Sequence, residues 1–294
     1  MATSVALVTS ACGQGAKAQV LSGEKTAHLA LIVFENKESS SVLGSSAALY
    51  INGTHVPSGR LFTRYYAVAH PSLTNYLVMT SARFNGCVTD ACPRNSNPDN
   101  NLFHQLNAAS PPVTWRAYQE GMPLNCYRRD SGSYLVRHNP ATYYTNLGPS
   151  GDNSCATRDV PFTQLSADIA NNSLPQFVWI TPNKYNDMHD DQNAASCSFG
   201  SATQDQVCQG DQWLSTNLPA LLSNGGRHDV TALIVFDEGS TKAGGGGQVV
   251  LLEVGPSTCA GCTSSAPLTH YGLLGAIEDW FQLPRLSPAS PALP

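Results

Sequence analysis

At 294 residues, with 41% of them hydrophobic, the chain is long enough for one large α/β domain with loops and a sizeable core. Only 13% of residues are charged and the net charge is −5, with no cluster of Lys and Arg, which argues against nucleic acid or an anionic membrane as a broad-surface partner. No apolar stretch reaches the roughly 20 residues that span a bilayer.

Along the chain, residues 1–22 are small and mildly apolar without a basic n-region, and read as a disordered segment or signal remnant outside the fold. The first strand is expected over His28–Phe34. Its run Ala30-Leu31-Ile32-Val33-Phe34 is continuous and partly β-branched, the pattern of a strand buried on both faces in a parallel sheet. Glu35-Asn36 follow at once. Next comes His70-Pro71-Ser72-Leu73-Thr74-Asn75, opening a helix expected over Asn75–Ala82. Pro71 suits a helix's first turn, and Ser72 sits where backbone N–H groups are unpaired. Arg83–Asn101 reads as a long polar loop, Leu102–Asn107 as a helix and Thr114–Tyr118 as a strand. Arg137-His138-Asn139-Pro140 is turn-rich. A helix over Phe162–Asn171 and a strand over Phe177–Thr181 lead to His189, within Asn186-Asp187-Met188-His189-Asp190. Asp187–Asp211 reads as a second polar loop, before a helix over Gln212–Leu222.

The run Ala-Leu-Ile-Val-Phe then recurs letter for letter as Ala232-Leu233-Ile234-Val235-Phe236, followed by Asp237-Glu238. Gly244–Gly247 lacks the Lys and spacing of a phosphate loop and reads as a flexible turn. A strand over Val249–Val254 and an amphipathic helix over Tyr271–Phe281 end the pattern. The tail 286–294, rich in Pro, is expected to be loose. Residues 23–285 are thus expected to form a single domain. Alternating strands and helices predict an α/β fold with a doubly wound, mostly parallel central sheet and helices on both faces.

Nine cysteines are many for a cytosolic enzyme. With Cys12 set aside, the others fall into neighbouring pairs: Cys87/Cys92, Cys126/Cys155, Cys197/Cys208 and Cys259/Cys262. Four local disulfides fit an exported protein. The competing reading, a structural zinc site, has ligand spacing only at Cys259-x-x-Cys262 and lacks a second half.

Ligands of open α/β sheets sit beyond the carboxyl ends of the strands, where Glu35, Asn36, Asp237 and Glu238 fall. Three carboxylates gathered there repel one another unless a cation lies between them, and a hard divalent ion is the economical answer. Taken alone, the pairs also read as ordinary charged strand exits. Ser72 can act as a nucleophile with a phosphate against the helix N-terminus, Asn75 adding an amide from the same helical face; on its own, Ser72 reads more readily as a helix cap. His138 and His189 read as donors to a phosphoryl oxygen or a leaving group, or as solvated loop residues. His189, beside Asp187 and Asp190, also has the company of a metal ligand. His270 is a weaker candidate ahead of a core helix.

The ordered motifs Phe34-Glu35-Asn36-Lys37, His70–Leu77, Arg137–Pro140, Ile180–Asp190, Gly210-Asp211-Gln212-Trp213-Leu214 and Phe236-Asp237-Glu238-Gly239 together resemble the bacterial acid phosphatase and phospholipase C phosphoesterases of the alkaline phosphatase superfamily. The resemblance runs from about residue 28 to 284. It implies an alkaline phosphatase-like sandwich and a single metal ion held by Glu35, Asn36, Ser72, Asp237 and Glu238. It also implies Ser72 as nucleophile, Asn75 binding the phosphoryl group, and His138 and His189 facing that group across from the metal. The chain departs from the family at Gly272, often Ser, and at Tyr185, often Cys; neither touches an implied ligand.

The expected activity is that of a secreted, extracellular or periplasmic, metal-dependent phosphomonoesterase working through a seryl-phosphate. A protonated histidine pair would favour mildly acidic pH. All-oxygen donors point to Ca²⁺ first, with Mg²⁺ or Mn²⁺ as alternatives. The expected partner is a phosphorylated small molecule or a phospholipid head group. The alternatives are a phospholipase C and a binding protein that kept the fold but lost catalysis.

Overall fold

The computed structural model describes Leu21, residues 25–84 and residues 86–286. The expected N-terminal segment and Pro-rich tail lie outside the described residues except for Leu21 and Leu286, as does Cys12.

The strands among them are β1 His28–Phe34, β2 Arg60–Phe62, β3 Tyr65–Tyr66, β4 Trp115–Gln119, β5 Asp159–Pro161, β6 Phe177–Thr181, β7 Val230–Phe236, β8 Leu251–Val254, β9 Cys262–Ser264 and β10 Leu268–Thr269. Eight form one sheet in the order β5-β4-β6-β1-β7-β8-β2-β9, and β3 pairs with β10 separately. The block from β5 to β7 is parallel throughout. β8 lies antiparallel to both neighbours, β7 and β2, and is the one reversed strand of the sheet. The mostly parallel α/β expectation therefore holds, with the reversal at Leu251–Val254.

Both faces of the central strands are covered. On β6, Trp179 packs against Tyr76 and Phe103, and Phe177 against Phe281, so the helices Ser72–Ser81, Leu102–Ala108 and His270–Trp280 share one face. Ile180, one residue out of phase, faces Leu165, Trp213, Leu218 and Leu221 with Ile32 of β1, which puts the helices Gln164–Ala170 and Ala202–Ser223 on the other. A side-chain period of two sends alternate residues to opposite faces, so a strand buried on both reads as an unbroken apolar run.

Two differences from the expectation have clear causes. The helix Ala202–Ser223 begins within the expected loop Asp187–Asp211, because Val207, Cys208, Asp211 and Leu214 form a buried face at helical spacing within a polar stretch. The margin strands β2, β5 and β9 are three residues each and contain Arg60, Asp159, Pro161 and Cys262 in place of an apolar run. All four expected cysteine pairs are joined. Gly244–Gly247, expected to be a flexible turn, folds around Glu38. That carboxylate accepts the N–H groups of Ser240, Thr241 and Gln248, and a Cβ on Gly247 would meet it at 2.5 Å.

Candidate active site

β1 and β7 are hydrogen-bonded neighbours, and their identical runs pair in register, Ala30 with Ala232 through Phe34 with Phe236. The polar pairs that follow are therefore brought side by side at the carboxyl edge. Asn36 turns the chain with φ +57°, a conformation Asn tolerates better than most residues, and its N–H donates to Asp237 Oδ1 at 3.1 Å. The Glu238 N–H donates to the same oxygen at 2.6 Å. Glu35 is fully buried and Glu238 nearly so.

These carboxylates destabilise one another's charge. Burial, then the charge of Asp237, pushes Glu35 well above the ordinary carboxylate range. Burial raises Asp237 to about 6, and burial with the neighbouring Asp237 charge raises Glu238 to about 9. Such shifts show buried carboxylates whose charges the neighbouring groups do not fully offset.

Ser72 opens the ten-residue helix Ser72–Ser81, with Pro71 just outside at the cap position. Its hydroxyl makes no cap hydrogen bond. It donates to Glu35 Oε2 at 2.9 Å and lies 3.4 Å from Glu238 Oε1, so it spans the two strand ends. One turn on, Tyr76 OH donates to Glu35 Oε1 at 2.7 Å. Asn75, expected to donate an amide hydrogen to the phosphoryl group, spends one Nδ2 hydrogen on the loop before the helix and keeps a second. Its Oδ1 accepts the N–H groups of Val68 and Ala69, and its Nδ2 donates to Ala69 O at 2.9 Å, tying the helix to the preceding loop.

Opposite stand the histidines. His138 is buried between Asp187 and Glu35, with Nδ1 3.0 Å from Asp187 Oδ2 and Nε2 3.3 Å from Glu35 Oε1. Its ring lies parallel to Tyr76 at 5.6 Å. His189 receives a hydrogen bond from the Arg137 guanidinium at Nε2, 3.2 Å, which leaves Nδ1 to donate to Asp190 Oδ1 at 2.7 Å. Burial lowers the pKa of both rings: Arg137 and His189 depress His138 further, whereas Asp190 partly offsets the fall at His189. Burial thus opposes the protonated pair that the sequence reading links to mildly acidic pH. Glu35, His138 and His189 converge within 4.8 Å.

Several residues at the site carry no role in the sequence reading. Asp187 orients His138 and also accepts the His189 N–H at 2.8 Å. Lys37 is buried, and its Nζ donates to Met188 O at 2.7 Å. His70 Nδ1 lies 2.8 Å from Glu238 Oε2. His270, the weaker candidate, is buried behind the site, where it binds Tyr65 OH and the Asp237 carbonyl. Lys37 directly follows Glu35-Asn36, and that adjacency was the available signal for it.

The donors suit a hard cation. Asp237 Oδ2 and His138 Nε2 are buried with no hydrogen-bond partner, and the oxygens of Glu35, Ser72, Asp237 and Glu238 gather at the same edge. The Cys126, Cys155 and Asp159 group also has the makings of a ligand cluster, but its sulfurs are joined in a disulfide.

A sequence profile of the Phosphoesterase family matches residues 50–284. The chain is 27% identical over 271 residues to a phosphatidylinositol-3-phosphatase of Mycobacterium tuberculosis, covering 91% of this chain and 81% of that protein. It is 29% identical over 243 residues to an acid phosphatase of Aspergillus fumigatus, covering 78% of this chain but 49% of that protein; it spans about half the length of the fungal acid phosphatases. Among solved structures it superposes on the lipoteichoic acid synthase LtaP of Listeria monocytogenes with TM-score 0.60 at 10% identity, over 90% of this chain and 74% of that one. It superposes on an alkaline phosphatase superfamily protein of Vibrio parahaemolyticus with TM-score 0.57 at 11% identity, over 84% and 64%. At such identities these two likenesses speak for the fold alone. With the profile spanning most of its length, the chain belongs to the Phosphoesterase family and is a phosphoric ester hydrolase on the alkaline phosphatase superfamily fold.

Proposed function

We propose that the chain is a secreted, metal-dependent phosphomonoesterase whose single domain, residues 23–285, works through a seryl-phosphate on Ser72. The observation that carries this reading is the Ser72 hydroxyl, opening a helix yet hydrogen-bonded to Glu35 and near Glu238 across adjacent strand ends. The fit of Glu35, Asn36, Ser72, Asp237 and Glu238 to one divalent ion, Ca²⁺ first and Mg²⁺ or Mn²⁺ next, rests on their oxygen chemistry. Bound there, the ion neutralises the carboxylates and lowers the pKa of the Ser72 hydroxyl.

The Ser72 proton leaves along its hydrogen bond to Glu35 as Oγ forms a bond to phosphorus, and the bond from phosphorus to the leaving oxygen breaks in line. Helix N-terminal N–H groups and the Arg137 guanidinium hold the equatorial oxygens. His138, oriented by Asp187, presents Nε2 to the reacting group. With Arg137 turned from His189 Nε2 to the equatorial oxygens, His189 takes a proton at Nε2 in mildly acidic solution and passes it to the leaving oxygen. Water then cleaves the seryl-phosphate and restores Ser72. Asn75 keeps the nucleophile helix against its loop and offers its second Nδ2 hydrogen to the phosphoryl group.

The relatives' printed activities are phosphatase activities, which supports monoesters over diesters. Four disulfides support export; no helix among the described residues is long and apolar enough to cross a membrane. Purified protein and Ser72→Ala are to be incubated with p-nitrophenyl phosphate and with phosphatidylcholine, with and without EDTA. We expect monoester turnover that both EDTA and Ser72→Ala abolish. Turnover surviving both would sink the mechanism, preferential release of diacylglycerol would make it a phospholipase C, and inactivity on every ester would make it a binding protein.

A further inference from the structure

The turn clipped by the Cys87–Cys92 disulfide brings one more carboxylate to the nucleophile. Asp90 Oδ1 accepts the N–H of Leu73, the residue after Ser72, at 3.1 Å, and Asp90 Oδ2 lies 3.6 Å from Arg137 Nε. The nucleophile helix holds this turn through Thr74 Oγ1, which donates to Cys87 O at 3.0 Å. The Asp90 side chain is 38% exposed, so it meets both the site and solvent.

A phosphorus bonded to Ser72 Oγ lies next to the first turn of the helix, where Asp90 links the Leu73 N–H to Arg137. Asp90 already engages both donors. An acidic side chain in this place opposes a fully charged phosphate, and it accepts a hydrogen bond from a phosphate that still carries a proton. We propose that Asp90 is a specificity-determining residue that makes the site select the monoanionic form of a phosphate monoester. This rests on the phosphomonoesterase reading and adds to it the ionic form of the substrate.

The charged and titratable groups around Asp90 are Arg137 beside it, Glu238 across the site, and Tyr143 with Arg94 and Asp130 beyond. His189 is reached only through Arg137. Of these groups, Asp90 is the acid that touches both the Leu73 N–H and Arg137. An alkyl phosphate loses its second proton near a pKa of about 6, so the selection would fade in over mildly acidic to neutral pH.

The test uses Asp90→Asn, which keeps the oxygen that accepts the Leu73 N–H, with Asp90→Glu as the charge-retaining control. Two readouts are needed on the metal-loaded protein. One is kcat/KM for p-nitrophenyl phosphate against pH. The other is the calorimetric Kd of inorganic phosphate and of sulfate, a dianion at every pH used. We expect Asp90→Asn to move the alkaline limb up by about one pH unit and to tighten sulfate on the order of tenfold, with Asp90→Glu following the wild type. An unmoved limb with unchanged sulfate affinity overturns the proposal. So does weaker sulfate binding with activity lost evenly at all pH, which would mean that Asp90 merely props Arg137. The anion affinities do not need turnover, so a wild type that binds phosphate but cleaves nothing would defeat the enzymatic reading while Asp90's preference was still measured.

Discussion

The chemistry gathers at a few side chains whose individual meanings differ. Ser72 is the first residue of its helix, just inside the cap position of Pro71, and its Oγ donates to Glu35 and lies near Glu238, the bonding that the proposed nucleophile needs. Asp187 does for His138 what a carboxylate does for any catalytic imidazole, fixing the Nδ1 proton and leaving Nε2 directed at the site. Replacing it by Asn keeps the shape but can turn the amide N–H toward Nδ1 and reverse the tautomer. Asp187→Asn is accordingly expected to lower kcat on the order of 10²-fold with a smaller change in KM, read by steady-state kinetics on p-nitrophenyl phosphate. Equal loss in both parameters' ratio at an unchanged kcat would contradict that role. Ser72, His138 and His189 stood out in the sequence because their neighbours Pro71, Asn139-Pro140 and Asp187 mark turns and helix starts, but their proposed roles came from the family resemblance. Lys37, Asp90, Arg137 and Asp187 were not given roles, because a single charged residue in a polar segment looks the same whether or not the fold carries it inward.

At the scale of elements, the repeated Ala-Leu-Ile-Val-Phe has a meaning that composition alone did not show. Its two copies lie beside each other in exact pairing order, so each polar pair is delivered to the same height of the edge. Burial of both strands explains why apolar residues are needed there; their adjacency is a matter of topology. The motif Gly210-Asp211 likewise turns out to support two elements. Asp211 accepts the N–H groups of Tyr50 and Ile51 at 2.8 Å each. Gly210 makes room for Met188, whose side chain would stand 2.4 Å from an added Cβ. Met188 sits at φ +77° between Asp187 and His189, with its carbonyl held by Lys37. Gly210→Ala is therefore expected to destabilise the fold by about 1–3 kcal/mol, measured by urea unfolding, and to reduce kcat through Asp187 and His189. A variant of wild-type stability and activity would show that the Met188 turn tolerates the methyl group.

For the molecule as a whole, the proposed cation site would couple metal binding to pH and stability. Glu35, Asp237 and Glu238 have folded pKa values above their unfolded ones, Asp237 at about 6 and Glu238 at about 9. The folded chain without cation then binds more protons than the unfolded chain, so the contribution of these groups to stability falls as pH rises from the ordinary carboxylate range toward about 9. His138 and His189 have lowered pKa values; their contribution is present above the unfolded histidine value and is lost as pH falls through it. A divalent cation must displace the carboxylate protons at low pH and meets fewer of them at high pH. Added Ca²⁺ should accordingly raise Tm more at about pH 8 than at about pH 5, as followed by calorimetry; an equal rise at both would argue against these carboxylates as the ligands.

From the sequence alone came the alternation of buried strands and helices, the pairing of cysteines close along the chain, and the polar residues at strand exits. Each depends on interactions over a few residues, on side-chain periodicity, or on short loops that bring partners together. Only the tertiary structure decided that β1 and β7 are neighbours, that the Ser72 hydroxyl reaches both of their ends, and that Asn75 is tied to the 68–69 loop. It also decided that the helix Ala202–Ser223 starts early, and that Asp90 and Arg137 meet beside Leu73. These outcomes depend on contacts between segments far apart in the chain, where strand order and packing select the partners and local residue preferences do not distinguish them.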